Sequence, residues 1–298
     1  MADVVYGSIP LADPARYGLT LTRDVPYQPT GRRAHRLDVY RPKEGGPTPA
    51  VMYVHGGAFS MLSKDTHRVM ALSIASRGYT VFNINYRLGP KHTFPAPLED
   101  AAAALAWVHE HAREWGADPA RIVIGGESAG GNLVTALAYM ATHPRPEPYA
   151  RALFDRAITL RGVAAIYGML DLIDLDRHLE HPKLSPWLKA EVLHAARSYV
   201  GRPIALKAAL APLASPLRLL AHPPPEGARP LPPFFIAVGT ADPLLDDSRR
   251  LHAVLQARGV PSELSLHPGE IHGFDALVWR REARAKWRAL HDFLERRA

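Results

Sequence analysis

The sequence predicts an α/β protein: a mostly parallel, eight-stranded sheet flanked by helices, with a helical segment set above it. Three observations carry this expectation. From about residue 50 onward, short apolar runs alternate with helical patterns of ten or more residues, the order expected of a parallel sheet covered on both faces. The runs Ala50-Val-Met-Tyr-Val-His55 and Tyr79-Thr-Val-Phe-Asn-Ile-Asn-Tyr86 are apolar nearly throughout, as strands buried on both faces are. Between 171 and 226 the strand pattern stops, and Pro182, Pro186, Pro203, Pro212, Pro216 and Pro223 to Pro225 interrupt helical and irregular apolar spacing. That stretch is expected to be a helical insertion, a cap.

Taken in order, residues 1–18 carry little periodicity and suit a helical or irregular arm. Strands follow at 19–25 and 33–40. The second alternates, with His35, Leu37 and Val39 against Arg36, Asp38 and Tyr40, and Thr30-Gly31 supplies a turn between the two, which suits an antiparallel pair at a sheet edge. A Gly- and Pro-rich loop at 42–49 leads to the strand at 50–55. A helix at 69–77 stops at Gly78, and the strand at 79–86 follows. The helix at 98–115, with Leu105 and Val108 inward, stops at Gly116, and Asp118-Pro119 is expected to turn the chain into the next strand around Ile122 to Ile124. Leu133, Val134, Leu137 and Ala138 then recur at helical spacing. The remaining segments are strands at 162–167, 234–238 and 263–267 and helices at 244–258 and 274–296. There is no internal repeat. The whole of 1–298 is expected to be one domain, with a core at 19–170 and 227–298 and the cap in the insertion 171–226.

Composition narrows the function. With 298 residues and 47% hydrophobic content, the chain can bury a large core. The absence of cysteine excludes disulfides and thiolate metal sites. The formal charge of +7 comes from scattered basic residues, including Arg280-Arg281 and Arg296-Arg297. No basic run is interleaved with aromatics, so a solvated surface is expected and not a nucleic-acid site. The first residues lack a charged n-region followed by an apolar h-region, and no run reaches membrane-spanning length. A soluble cytoplasmic protein without metal or cofactor is the expectation.

In open parallel sheets, ligands sit beyond the carboxyl ends of the strands. Four strand ends here carry chemistry. The third exits into His55-Gly56-Gly57-Ala58-Phe59, the fifth into Gly126-Glu127-Ser128-Ala129-Gly130, the seventh into Gly239-Thr-Ala-Asp242-Pro, and the eighth into Pro268-Gly-Glu-Ile-His272-Gly-Phe. A G-x-S-x-G segment between a strand and a helix is the context of a nucleophile elbow, and small flanking residues let strand and helix approach closely. The following helix points its N-terminal N–H groups at the site. A serine hydroxyl needs an adjacent base. His272 can accept its proton, and Asp242 can hold the imidazole in the required tautomer. The N–H groups of Gly57, Ala58 and Ala129 can face a developing oxyanion, and Gly56 and Gly57 let the backbone come close to substrate. Asp246 and Asp247 compete with Asp242 but fall inside the next helix. His267 lies within a strand, and His109 and His111 on a helix face. Glu127, whose side chain leaves the elbow on the far side from Ser128, is expected to be a solvated or structural carboxylate.

Together these residues resemble the hormone-sensitive-lipase family of α/β-hydrolases (bacterial family IV), a group that includes many carboxylesterases. The resemblance rests on the strand-end motifs above and on Tyr86-Arg-Leu-Gly-Pro, Phe94-Pro-Ala-Pro-Leu-Glu-Asp100, Gly116-Ala-Asp-Pro-Ala-Arg, Gly126-Glu-Ser-Ala-Gly-Gly-Asn and Ala214-Ser-Pro-Leu. It spans about residues 35–275. It implies the α/β-hydrolase fold, a cap built from residues 1–18 together with the insertion 171–226, a Ser128–Asp242–His272 triad, an oxyanion hole at Gly56, Gly57, Ala58 and Ala129, and hydrolysis of short- to medium-chain acyl esters. Ala58 stands where the family usually has a third glycine, and Glu127 where aspartate is commoner; the alanine is expected to be tolerated, at roughly 1 kcal/mol if the position needs positive φ. An amidase or aryl-formamidase with the same triad is the alternative, and a non-catalytic small-molecule receptor the remote one. The pH–rate profile is expected to rise at about 6 to 7. Trp187, Leu188, Leu193 and Leu210 either line the substrate pocket or pack the cap. A homodimer through the last strand and helix is compatible with the resemblance, though the pattern does not require one.

Overall fold

The computed structural model describes residues 13–180, 184–209 and 211–297. Residues 1–12 of the expected arm, Pro182 and Leu210 lie outside the described residues. Eight strands form one sheet: β1 (Leu19–Pro26), β2 (Arg36–Pro42), β3 (Thr48–Val54), β4 (Thr80–Ile84), β5 (Ala117–Glu127), β6 (Leu160–Ile166), β7 (Phe234–Gly239) and β8 (Ser262–His267). Their spatial order is β1-β2-β4-β3-β5-β6-β7-β8. The β1–β2 and β2–β4 pairs are antiparallel, and every later pair is parallel.

The apolar strand runs follow from this layering. Successive side chains of a strand point to opposite faces. Met52, Val54, Ile122 and Ile124 enter one core, under helices α2 (Ala96–His111), α3 (Ala129–Thr142) and α4 (Pro148–Asp155). Val51, Tyr53, Val81 and Val123 enter the other, under α1 (Arg68–Ala75) and a C-terminal helix, α10 (Arg281–Glu295). Both faces are covered, so a polar alternation has no place in these strands. All fourteen residues of α3 are buried, which puts the helix after Ser128 at the centre of the molecule.

Between β6 and β7 the described chain is helical: α5 (Asp176–Leu179), α6 (Pro186–Val200), α7 (Ile204–Ala209), a 3₁₀ turn (Pro212–Ala214) and α8 (Pro216–Ala221). Pro186, Pro212 and Pro216 occupy the first turns of their elements, where a missing N–H costs nothing. These prolines start helices and do not merely interrupt them. Helix α9 (Leu245–Ala257) joins β7 to β8. Among the described residues no helix is long and apolar enough to cross a membrane.

The structure departs from the sequence reading in four places. Residues 33–35 form a 3₁₀ turn before β2. Asp118-Pro119 lies within β5: Thr48 and Pro49 pair with Ala117 and Asp118 before a register shift, and that break spares the ladder the N–H that Pro119 lacks. Helix α4 was not among the expected elements. The expected helix at 274–296 is a 3₁₀ turn (Phe274–Ala276) followed by α10. There the buried carboxylate of Asp275 meets Lys286 Nζ of α10 at 2.6 Å and accepts from Tyr167 Oη at 2.5 Å. Lys286, with Trp287 Nε1 donating to Asp275 O at 3.0 Å, folds the turn back against α10 instead of extending it as helix.

Candidate active site

Ser128 sits between β5 and α3 with φ 55° and ψ −115°, a strained backbone for a non-glycine residue. The neighbours enforce it. A Cβ on Gly130 would run into the carbonyls of Val54 and His55, so strand β3 and the start of α3 touch across the elbow. Ser128 N–H donates to Ile166 O at 2.9 Å, tying the turn to β6. Its side chain is left at the carboxyl edge of the sheet.

His272 reaches it from the loop after β8, between Gly269 and Gly273, both left-handed at φ 71° and 75°. Its Nε2 lies 2.9 Å from Ser128 Oγ and its Nδ1 2.9 Å from Asp242 Oδ2. The buried Asp242, just beyond β7, accepts the Leu244 N–H on its other oxygen at 2.8 Å. A carboxylate only accepts, so Nδ1 carries the proton toward Asp242 and neutral Nε2 is free to accept from the serine. Burial pushes the His272 pKa down, but the charge and hydrogen bond of Asp242 outweigh it, and the pKa stands above the ordinary histidine value. The three residues expected to work together are thus joined in one hydrogen-bonded chain.

The loop after β3 faces this chain. Gly57 has φ 110°, and a Cβ there would strike the Met61 carbonyl. Ala58 and Phe59 follow at φ 51° and 58°, so Ala58 does occupy the left-handed region its family-typical glycine favours. The Gly57 carbonyl accepts from Ser60 N–H at 2.9 Å and Met61 N–H at 3.0 Å, closing the turn. Among the described residues no acceptor engages the N–H groups of Gly57 and Ala58. Ala129 opens α3, where a first-turn N–H lacks a helical partner. Gly56, expected in the hole, differs: its N–H donates to Glu127 Oε1 at 2.6 Å. It therefore serves through its place in the loop and not as a free donor.

Other residues surround the site, and of these Tyr167 and Asp275 were not singled out in the sequence. The Tyr167 ring meets His272 edge-on, with centroids 4.7 Å apart, and its hydroxyl is held by Asp275. Burial raises the Asp275 pKa, but Lys286 outweighs it and holds it below the usual carboxylate value. Glu127 is buried, not solvated. His55 stacks between Tyr86 and His67, at 4.4 and 5.5 Å, and burial, followed by the charge of His67, lowers its pKa to about 3. The competing acids lie elsewhere. Asp247 accepts from Leu170 N–H at 2.6 Å and pairs with Arg177, while Asp246 is exposed beside Arg177 and Arg250. His267 bonds Glu282 and Ser265. Trp187 is exposed, Leu188 half-buried, and Leu193 packs on the main core. Among the described residues no group of three or more histidines and carboxylates is arranged to hold a metal. Clefts of about 450 Å³ at Arg197, Arg202, Pro203 and Ile204, and about 320 Å³ between α2 and α4, are not lined by Ser128 or His272. Chemistry, not cavity size, marks the site.

Comparison with known proteins places the fold. Residues 51–276 match a family described by the alpha/beta hydrolase fold. The chain is 31% identical over 277 residues to the esterase LipI of Mycobacterium tuberculosis, covering 85% of this chain and 78% of that one. It is 35% identical over 251 residues to the carboxylesterase NlhH of the same organism, covering 81% and 72%. Among solved structures, a bacterial heroin esterase superposes with a TM-score of 0.80 at 25% identity, covering 99% of this chain and 89% of that one. A hyperthermophilic esterase from the archaeon Pyrobaculum calidifontis does so with a TM-score of 0.76 at 28% identity, covering 98% and 90%. With its elbow, its strand-end motifs and these relatives, the chain belongs to the hormone-sensitive-lipase family of carboxylesterases within the α/β-hydrolase superfamily.

Proposed function

We propose that the protein is a serine carboxylesterase acting on short- to medium-chain acyl esters through an acyl-enzyme. The single observation that carries the reading is the unbroken chain Ser128 Oγ to His272 Nε2 and His272 Nδ1 to Asp242 Oδ2, each link 2.9 Å. Ser128 Oγ attacks the ester carbonyl as its proton passes to Nε2. The carbonyl oxygen becomes an anion facing the N–H groups of Gly57, Ala58 and Ala129, donors worth on the order of 100- to 1000-fold in rate each. The C–O bond to the alcohol then breaks, and His272 returns the proton to the departing alkoxide. Water, deprotonated by His272, attacks the acyl-serine, and collapse of the second tetrahedral species releases the acid and restores Ser128. Asp242 stabilises the imidazolium in both halves. The helices of 171–226 act as the cap that limits acyl length.

The test is a panel of p-nitrophenyl acetate, butyrate and octanoate beside N-formyl arylamines, run on wild type and Ser128→Ala. Hydrolysis of the shorter esters, lost in Ser128→Ala, is the expected result. Faster turnover of the N-formyl arylamines would place the protein with the amidases instead.

A further inference from the structure

Glu127 is covalently next to Ser128 yet takes no part in the proton relay, and its carboxylate is buried under the elbow. Three donors converge on it. Oε1 receives the Gly56 N–H at 2.6 Å and lies 2.6 Å from His67 Nε2; Oε2 receives the Tyr53 hydroxyl. Tyr53 belongs to β3, and His67 is the residue on which α1 begins. Both are parts of the scaffold, whereas Gly56 opens the loop that carries Gly57 and Ala58.

A buried carboxylate needs a compensating charge. His67 supplies it: burial lowers its pKa, but the charge and hydrogen bond of Glu127 outweigh that, and it stands above the ordinary histidine value. The loop is fixed on its other side as well. His55 Nδ1 lies 2.7 Å from Gly56 O, and Tyr86 Oη donates to His55 O at 2.9 Å. A Cβ on Gly56 would meet the Glu127 carbonyl at 2.9 Å, so the loop is seated directly on the elbow. Because the Gly56 N–H is turned onto Glu127, the positive-φ steps at Gly57 (110°), Ala58 (51°) and Phe59 (58°) decide where the next N–H groups point.

Resting on the esterase reading above, we propose that Glu127 is a positioning residue which, clamped by His67 and Tyr53, references the oxyanion loop to the nucleophile through the Gly56 N–H. The clamp keeps the distance between the oxyanion donors and Ser128 constant, since one residue is bonded to both. An Å-scale shift of such donors costs on the order of 100-fold, and the cost falls on the transition state because the ground-state carbonyl needs these donors less.

The experiment compares Glu127→Ala and Glu127→Gln with wild type on p-nitrophenyl butyrate, and measures inhibition by an alkyl trifluoromethyl ketone, whose serine adduct carries the oxyanion. Glu127→Ala is expected to lower kcat about 100-fold with KM within about threefold, and to weaken the ketone by a similar factor. Glu127→Gln keeps an acceptor for Gly56 but loses the charge, and is expected to fall about tenfold in both. A merely structural carboxylate would lower the unfolding temperature, with kcat and ketone affinity unchanged in the folded fraction; that result overturns the proposal. If Glu127→Ala does not fold, Glu127→Gln decides by the same criterion. A wild-type protein inert toward every ester refutes the esterase reading itself, whereas active wild type with indifferent Glu127 variants refutes only the clamp.

Discussion

Replacing Asp242 by asparagine tests how the histidine is held. The buried carboxylate has two engaged oxygens: Oδ2 faces His272 Nδ1 at 2.9 Å, and Oδ1 accepts the Leu244 N–H at 2.8 Å. An asparagine must choose. With its oxygen toward Leu244, its NH₂ faces His272, so Nδ1 has to accept and the ring proton moves to Nε2, where it blocks acceptance from Ser128. The opposite orientation points an NH₂ at the Leu244 N–H and leaves buried donors unmet, at about 1–3 kcal/mol. The first orientation therefore dominates, and the wrong tautomer with it. Losses of about 10⁴ in kcat are typical of such a change, equivalent to about 5 kcal/mol at 1.36 kcal/mol per decade. Because this orientation keeps both contacts of the carboxylate it replaces, the fold should persist. Steady-state kinetics on p-nitrophenyl butyrate should thus show kcat down by about 10³ to 10⁴, with KM and thermal unfolding little changed. The pH profile sharpens the test. His272 must be neutral to act as base and its pKa stands above the ordinary value, so wild-type activity should rise through a midpoint above about 6.5. Any remaining limb in the variant should move to lower pH as the stabilising charge is lost. A variant keeping more than a tenth of the wild-type kcat would refute the tautomer argument.

Other perturbations follow from the same structure. Ala58→Gly removes a left-handed alanine worth about 1 kcal/mol but adds unfolded-state entropy worth about 0.4–1 kcal/mol, so chemical denaturation should find stability changed by less than about 1 kcal/mol and kcat within about threefold; a large activity loss would mean that the methyl group helps set the hole. Lys286→Ala strands the buried Asp275 carboxylate, and guanidinium unfolding should show about 3–5 kcal/mol of destabilisation; a loss under 1 kcal/mol would contradict the buried pairing. Burial lowers the pKa of His55 to about 3 and of His143, His178 and His291 to about 4. Their folded values lie below the unfolded one, so the stability they confer is intact above about 6.5 and lost as pH falls toward 4. The thermal midpoint should drop across that window, and a flat midpoint from pH 7 to 4 would contradict it.

The features legible in sequence were those encoded locally. Ser128 was marked by its strand–turn–helix context, His272 by its flanking glycines past the last strand, and Asp242 by its place at a strand exit before Pro243. The buried strands announced themselves because both faces are covered, leaving unbroken apolar runs such as Ala50 to Val54. What was illegible depends on pairing across the chain. Glu127 meets Tyr53 from 74 residues away, and no periodicity records that. Tyr167 meets Asp275 across 108 residues, so the break before α10 was hidden and its residues looked like the start of one long helix. Asp247 does lie in the first turn of α9, but that it is fully buried and accepts the Leu170 N–H across 77 residues was not visible. Helix α4 is short and half-exposed: Tyr149, Ala150, Leu153 and Phe154 do recur at helical spacing, but over only two turns, too short a stretch to mark a helix. Ala58 shows a different limit, since a residue type constrains φ without deciding it.

The most direct measurement of the central claim is active-site labelling with a fluorophosphonate, followed by peptide mapping, in parallel with ester hydrolysis by wild type and Ser128→Ala. The expected result is a single label on Ser128, loss of hydrolysis as it is occupied, and an unlabelled, inactive Ser128→Ala protein that unfolds at nearly the wild-type temperature. A label on another residue, or a Ser128→Ala protein that keeps a substantial fraction of the wild-type rate, would contradict it.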